Sequence, residues 1–412
     1  MRNYSYLHLG EETDPDSFVI CKYRVTTDLP MEKAAEAIAT EQSTGTWTGI
    51  STLNDSIFDT LGARVTRIDG DMVTIAYPEE DFSIENGGIP QILSVIAGNL
   101  FGLDALKGVR LEDVSFPKGI QSMYSGPKFG ADGLRKILKR PEKPLVGTIV
   151  KPKIGLNPSE TAKYVYEAGS GGLTNSKDDE TLVDQRFCPI EDRTKAVAES
   201  IDKLAEEGHM MLHAVNVSTN GEKIVELAEK VQAWGAKQVM VDVITCGFGA
   251  VQALAEDPSI KVPIHVHRTM HGAMTKDPLH GISMLAITRL VRMCGGDALH
   301  IGTLGVGKMT GTSGGDHDNL DACLDKSMPY KTVMPVCSGG VYPGIVGNIV
   351  KVAGKNVQIQ AGGGVAGHPG GVRKGAMGMC QAVDAAYMGI DAAKYAETHP
   401  ELKIALERWG TK

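Results

Sequence analysis

Eight short apolar runs, rich in Val and Ile, recur along this chain at intervals of about 25 to 40 residues. They are GTIVK (147–151), GLTNSK (172–177), MLHAVN (211–216), QVMVD (238–242), PIHVH (263–267), ALHIG (298–302), VMPVCS (333–338) and VQIQA (357–361). Runs of this length without strict alternation suit strands buried on both faces. The segments between them carry apolar residues at helical spacing, and helices are expected over 158–168, 191–207, 223–234, 279–293 and 372–388. Strand and helix in alternation imply parallel crossovers, and eight such units over about 260 residues match a closed (β/α)8 barrel.

The first part of the chain breaks the pattern. Strand-like stretches at 18–25, 60–68 and 72–77 flank a helix-forming block at 31–39. The expected fold is therefore α/β: a C-terminal (β/α)8 TIM barrel over 126–412, preceded by a smaller α+β domain over 1–125. The Gly/Pro-rich stretch YSGPKFG (124–130) punctuates the two.

Composition narrows the partners. Lys plus Arg (42) against Asp plus Glu (50) leaves a net charge of −8, and no basic tract is present, so a nucleic-acid partner is not expected. No apolar run is long enough for a bilayer, and the polar, acidic start does not resemble a signal peptide; a cytoplasmic location without membrane contact is expected. Seven scattered cysteines without a CxxC read as small buried residues.

Reactive residues of a barrel sit at the C-terminal ends of its strands, and nearly every run here ends in a polar residue. The second ends in Lys177-Asp178-Asp179-Glu180. Lys177 and Asp179 are two apart and would share a strand face, and two converging carboxylates suit Mg²⁺. The lysine either neutralises the acids or takes up CO2 as a carbamate and becomes an anionic ligand; on spacing alone a solvated charge cluster is the blander reading. Lys151 and Lys153 end the first run and would share a face, either as tuned proton donors or as surface lysines. His265, His267, Arg268 and His271 follow the fifth run. The HxH resembles that of metal-dependent hydrolases, but its place on the fifth strand argues against one, and Arg268 reads as an anion clamp. Glycine tracts after the seventh and eighth runs, Ser338-Gly339-Gly340 and Gly362-Gly363-Gly364, are either tight turns or a backbone cradle for phosphate. Arg268 with His300 would supply a second anion site, hence a bisphosphate. The Gly/Thr loop 302–312 carries Lys308 and reads as a lid or a flexible surface loop.

These segments, together with EQSTGTWT (41–48), AGNLFG (97–102) and RLED (110–113), are similar to the large subunit of ribulose-1,5-bisphosphate carboxylase/oxygenase over nearly the whole chain. The compact archaeal form III is the most similar. The resemblance implies carboxylation of ribulose-1,5-bisphosphate, with side oxygenation, to two 3-phosphoglycerates. It implies Mg²⁺ held by Asp179, Glu180 and a Lys177 carbamylated by an activator CO2. Lys151 would protonate the intermediate with Lys153 in support, Lys308 would polarise the attacking CO2, and His267 would transfer protons. Arg268 and His300 would bind one phosphate. Thr46, Trp47, Gly340, Gly362 and Gly363 would bind the other, and Ser338, beside Gly339, a substrate hydroxyl. Glu41 and Asn99 would come from a neighbouring subunit, which implies a homodimer or an assembly of dimers with shared sites; the short C-terminal end leads us to expect no small subunit.

Two departures stand out. Thr174 occupies a position where the family usually has Asp, which puts local support of the lysines in question, and the lid is one residue longer between His300 and Lys308 than in plant-type enzymes. The alternative is a RuBisCO-like enolase or isomerase of methylthio-sugar phosphates, and a non-catalytic sugar-phosphate-binding paralogue is a third. Retention of Lys308, Lys151, Glu41 and Asn99 favours the carboxylase over the second, and the intact Lys177, Asp179 and Glu180 over the third.

Overall fold

The computed structural model describes residues 4–307 and 315–411. The strands begin with β1 (Phe18–Thr26), β2 (Arg64–Asp69), β3 (Met72–Pro78) and β4 (Gly108–Ser115). Next come β5 (Leu145–Ile149), β6 (Asn175–Lys177), β7 (Leu212–Asn216), β8 (Gln238–Asp242) and β9 (Ile264–His267). The last are β10 (Gly281–Ile282), β11 (Ala298–Gly302), β12 (Met334–Ser338) and β13 (Gln358–Gln360). Two compact units result, one of Met1–Ser125 with Met270–Met293, the other of Gly126–Thr269 with Cys294–Lys412.

The first unit is built on a five-stranded sheet in the order β10-β4-β1-β3-β2. Along β1 every second side chain (Val19, Cys21, Tyr23, Val25) is buried, as a half-covered antiparallel strand requires. The helix Met31–Glu41 buries Ala34, Ala35, Ile38 and Ala39, one stripe at i, i+3, i+4 spacing. Met270–Met293 joins this unit through the parallel pair Gly281↔Arg110 and Ile282↔Leu111. Buried Arg110 donates to the carbonyls of Thr275 (3.3 Å) and Asp277 (2.7 Å). The stretch expected as a strand from residue 60 starts as strand only at Arg64: the helix Asp55–Leu61 precedes it, capped by Asn54, whose Oδ1 accepts from Ile57 N.

In the second unit all eight expected runs form a closed parallel barrel, β5-β6-β7-β8-β9-β11-β12-β13. The first crossover helix starts where its cap dictates. Asn157 and Glu160 make a capping box ahead of Pro158, and the helix runs Pro158–Ser170. The helix expected from 279, which falls almost wholly in the first unit, begins only at Met284, because β10 occupies Gly281–Ile282. The foot of the barrel is closed by Ala131, Leu134 and Leu138, which pack on Leu145, Leu212, Ala298, Met334 and Val336. Truncating Leu134 to Ala there would cost about 2–5 kcal/mol. The barrel strands also bury polar residues: Asn175, Gln238, Gln358 and Gln360. Among the described residues no helix is long and apolar enough to cross a membrane.

Candidate active site

The carboxyl ends of β5 and β6 bring five of the expected residues together. β6 ends at Lys177, which is 1 % exposed and pairs in register with Ile149 of β5 and Ala214 of β7. Its Nζ donates to Asp178 O (2.8 Å) and stands 3.7 Å from Glu180 Oε2. Burial pulls the Lys177 pKa below the ordinary lysine value, against the opposing pull of Glu180 and Asp179. Asp179 and Glu180 lie beyond the strand, in the loop. Lys151 Nζ reaches Asp179 Oδ2 at 2.7 Å, and Lys153 Nζ lies 3.0 Å from Glu180 Oε1 and 3.8 Å from Asp179 Oδ1. Burial works to raise Glu180, but the Lys177 ammonium and His267 overcome it and hold this carboxyl at about 2.

The ends of β8, β9 and β11 add a histidine cluster. His267 Nδ1 bonds Asp242 Oδ1 at 2.9 Å and its Nε2 lies 3.8 Å from Glu180 Oε2, which links this cluster to the acids. His265 and His300 share one proton between their Nε2 atoms at 2.8 Å, and the His267 and His300 rings meet edge to face. Burial lowers all three histidines, so they are neutral near pH 7. Arg268, 7 % exposed, makes no hydrogen bond or ion pair to a described residue, and burial pushes its guanidinium down to about 10. Asp316 opposes that shift, and a desolvated cation of this kind can take an anion from outside.

The remaining residues fall elsewhere. Ser338 ends β12, and Gly339 and Gly340 follow at φ +115° and +80°, backbone that favours glycine. A Cβ on Gly362 would stand 2.9 Å from Lys151 Cε, which places this glycine against the lysine; Gly363 opens the single turn Gly363–Ala366. In the first unit Glu41 and Asn99 line one cleft with Gln42, Ser43, Ser94 and Gly98. Thr46 is half-buried, and Trp47 is 91 % exposed. Lys308 lies outside the described residues.

Thr174 does not touch the lysines. Its Oγ1 accepts from Val146 N (3.1 Å) and lies 2.8 Å from Asn175 Oδ1, so it serves the start of β5, well below the reactive end. Sequence reasoning marked Asp242 and Asn216 only as strand-ending residues, and Arg193 and His213 escaped it. Among the described residues no group of three His, Cys, Asp or Glu side chains is arranged to hold a metal. Two hard carboxylates and a buried lysine of lowered proton affinity fit Mg²⁺ once that lysine becomes an oxygen donor.

Residues 6–120 match the model of the ribulose bisphosphate carboxylase large chain, N-terminal domain, and residues 130–409 that of its catalytic domain. The chain belongs to the ribulose bisphosphate carboxylase large-chain family. It is 42 % identical to the ribulose bisphosphate carboxylase of Methanocaldococcus jannaschii, over 98 % of this chain and 99 % of that one. Among solved structures it is similar to the octameric Rubisco of Pyrococcus horikoshii in complex with sulfate ion (TM-score 0.92, 37 % identity, 98 % and 96 % of the two chains). It is also similar to the dimeric archaeal Rubisco of Hyperthermus butylicus (TM-score 0.87, 36 % identity, 99 % of each). Like those Rubiscos, this chain carries the barrel and the N-terminal sheet domain.

Proposed function

We propose that this protein is a Rubisco of the archaeal form III type, which carboxylates ribulose-1,5-bisphosphate and, as a side reaction, oxygenates it. The observation that carries this reading is the convergence of Lys151, Lys153 and Lys177 on Asp179 and Glu180, with His267 Nε2 3.8 Å from Glu180 Oε2. Lys177 adds CO2 through its neutral amine: a C–N bond forms and one proton leaves, and the carbamate oxygen, Asp179 and Glu180 would together hold Mg²⁺. When bound, Mg²⁺ supplies the positive charge that acidifies the hydrogen beside the substrate ketone.

The chain's own groups do the rest. The carbamylated Lys177 takes the C3 proton. Lys151, held 2.7 Å from Asp179, delivers a proton to the intermediate, with Lys153 in support. His267, oriented by Asp242 at 2.9 Å, moves protons at the adjoining hydroxyl. Arg268 and His300 bind one phosphate; Gly340, Gly362 and Gly363, with Thr46 and Trp47, bind the other; Ser338 and neighbouring Gly339 contact the sugar. Lys308 polarises CO2 during attack. Glu41 and Asn99 serve the site of a second copy, so the working unit is a homodimer or an assembly of dimers.

Fixation of radiolabelled CO2 onto ribulose-1,5-bisphosphate tests this. Acid-stable label in 3-phosphoglycerate is the expected result. Enolisation of a methylthio-sugar phosphate without fixation would assign the protein to the RuBisCO-like branch instead.

A further inference from the structure

Behind the lysine and the two acids lies a charged network whose side chains bond neither the Lys177 amine nor the Asp179 and Glu180 carboxylates. Ser176 and Asp178 flank Lys177 and face away from it, as alternate residues at a strand end must. His213 of β7 bridges the two: its Nδ1 is 2.8 Å from Ser176 Oγ and its Nε2 is 3.1 Å from Asp178 Oδ1. Asp178 Oδ2 also accepts from Asn216 N (3.0 Å) and from Arg193, through Nε at 3.2 Å and Nη2 at 3.1 Å. Arg193 and Asp178 are fully buried, and His213 is 1 % exposed.

The same guanidinium reaches further. Arg193 Nη2 donates to Val183 O (2.7 Å) and Nη1 to Cys188 O (2.8 Å), so one side chain of the helix Ile190–Glu206 ties the strand end to two points of the loop that carries Asp179 and Glu180. Asn216 Nδ2 adds bonds to Glu180 O (3.2 Å) and Leu182 O (3.0 Å). Lys177 Nζ in turn rests on the carbonyl of Asp178.

A buried ion pair is a weak source of stability, since desolvation cancels most of its attraction. Its geometric effect is larger: every rear-facing atom around Lys177 has a fixed partner, and the loop cannot shift without breaking several bonds at once. We propose that Arg193 and His213 are positioning residues, which hold the Lys177 strand end and the Glu180 loop in the arrangement that takes up CO2 and a divalent cation. This rests on the reading of Lys177 given above. Neither residue touches substrate, and their loss acts on activation ahead of turnover.

The test uses the full chain and ¹³C-labelled bicarbonate, with the carbamate carbon followed by NMR as Mg²⁺ is added. Arg193→Lys keeps the charge but loses the fork; His213→Gln keeps one donor but cannot span Ser176 and Asp178 together. In each variant the Mg²⁺ midpoint for carbamate formation should rise by about tenfold or more, the range typical of groups that orient metal ligands. KM for ribulose-1,5-bisphosphate, measured on fully activated protein, should stay within about twofold of the parent value, since substrate contacts are untouched. A folded variant with the parent midpoint overturns the positioning role. Should Arg193→Lys fail to fold, His213→Gln decides alone. No carbamate signal in the parent protein would instead overturn the assignment of Lys177, which keeps the two failures apart.

Discussion

Lys151 Nζ sits 2.7 Å from Asp179 Oδ2, an ammonium paired with a carboxylate that is 1 % exposed. The pair neutralises an acid that would otherwise be buried as a bare charge, and it aims the Lys151 side chain at the Asp179 carboxylate. Exchange of Lys151 for Gln should therefore lower kcat by about 10²–10⁴, the usual share of a positioned proton donor. Carbamate formation on Lys177 should survive. Turnover assays beside ¹³C NMR of the carbamate check both halves; a variant that loses the carbamate as well would place Lys151 in activation and not in catalysis.

Activation should respond to pH as a buried amine dictates. In the proposed carbamylation the reactive species is the neutral form of Lys177, and burial lowers its pKa from the ordinary 10.5. The rate of CO2 uptake should rise with pH through a midpoint below 10.5. Stopped-flow activation in bicarbonate buffers measures this, and a midpoint at or above that of free lysine would contradict it.

The metal-free protein should lose stability in acid through Glu180. Its carboxyl is held at about 2 against an ordinary 4.5, so it stabilises the folded state fully above 4.5 and loses that contribution as pH falls toward 2. Denaturant titrations of Glu180→Gln should show a shallower decline than the parent across this window, and identical slopes would show that the carboxylate is not so held.

Arg268 offers a test of function against stability. Its charged form is disfavoured by burial, so below about pH 10 it costs the folded state free energy. Arg268→Met should raise the melting temperature by a few degrees, on the order of 1–2 kcal/mol. The same change should weaken binding of ribulose-1,5-bisphosphate by about 10- to 100-fold, as loss of a charge-assisted hydrogen bond does. Calorimetry with and without the bisphosphate reads both; a lower melting temperature would mean that the guanidinium has an internal partner after all.

Much of the barrel could be read from the chain because parallel strands covered on both faces leave runs such as QVMVD that look like nothing else; β8 and β11 occupy the expected residues. Strand β4, GVRLEDVS, hides its role behind three charges, and β10 is two residues long and pairs with a strand about 170 positions away, as the Ser283 to Glu112 contact (171 apart) shows. Such pairing leaves no local signal. The lysines and acids stood out because charge at the end of an apolar run is conspicuous. Arg193 did not, for it lies in a helix with charged neighbours Glu191, Asp192 and Lys195, and only the packing of that helix on the barrel wall makes it a buried group.

The membership of Met270–Met293 in the first unit means that no single cut separates the two units into self-sufficient pieces. A fragment starting at Gly126 would carry Gly281 and Ile282 without the edge they pair to, and a fragment ending at Ser125 would leave Arg110 without the carbonyls of Thr275 and Asp277. The chain leaves its barrel, completes a neighbour, and returns. Fusion tags and split versions therefore belong at the termini or in surface turns away from this excursion.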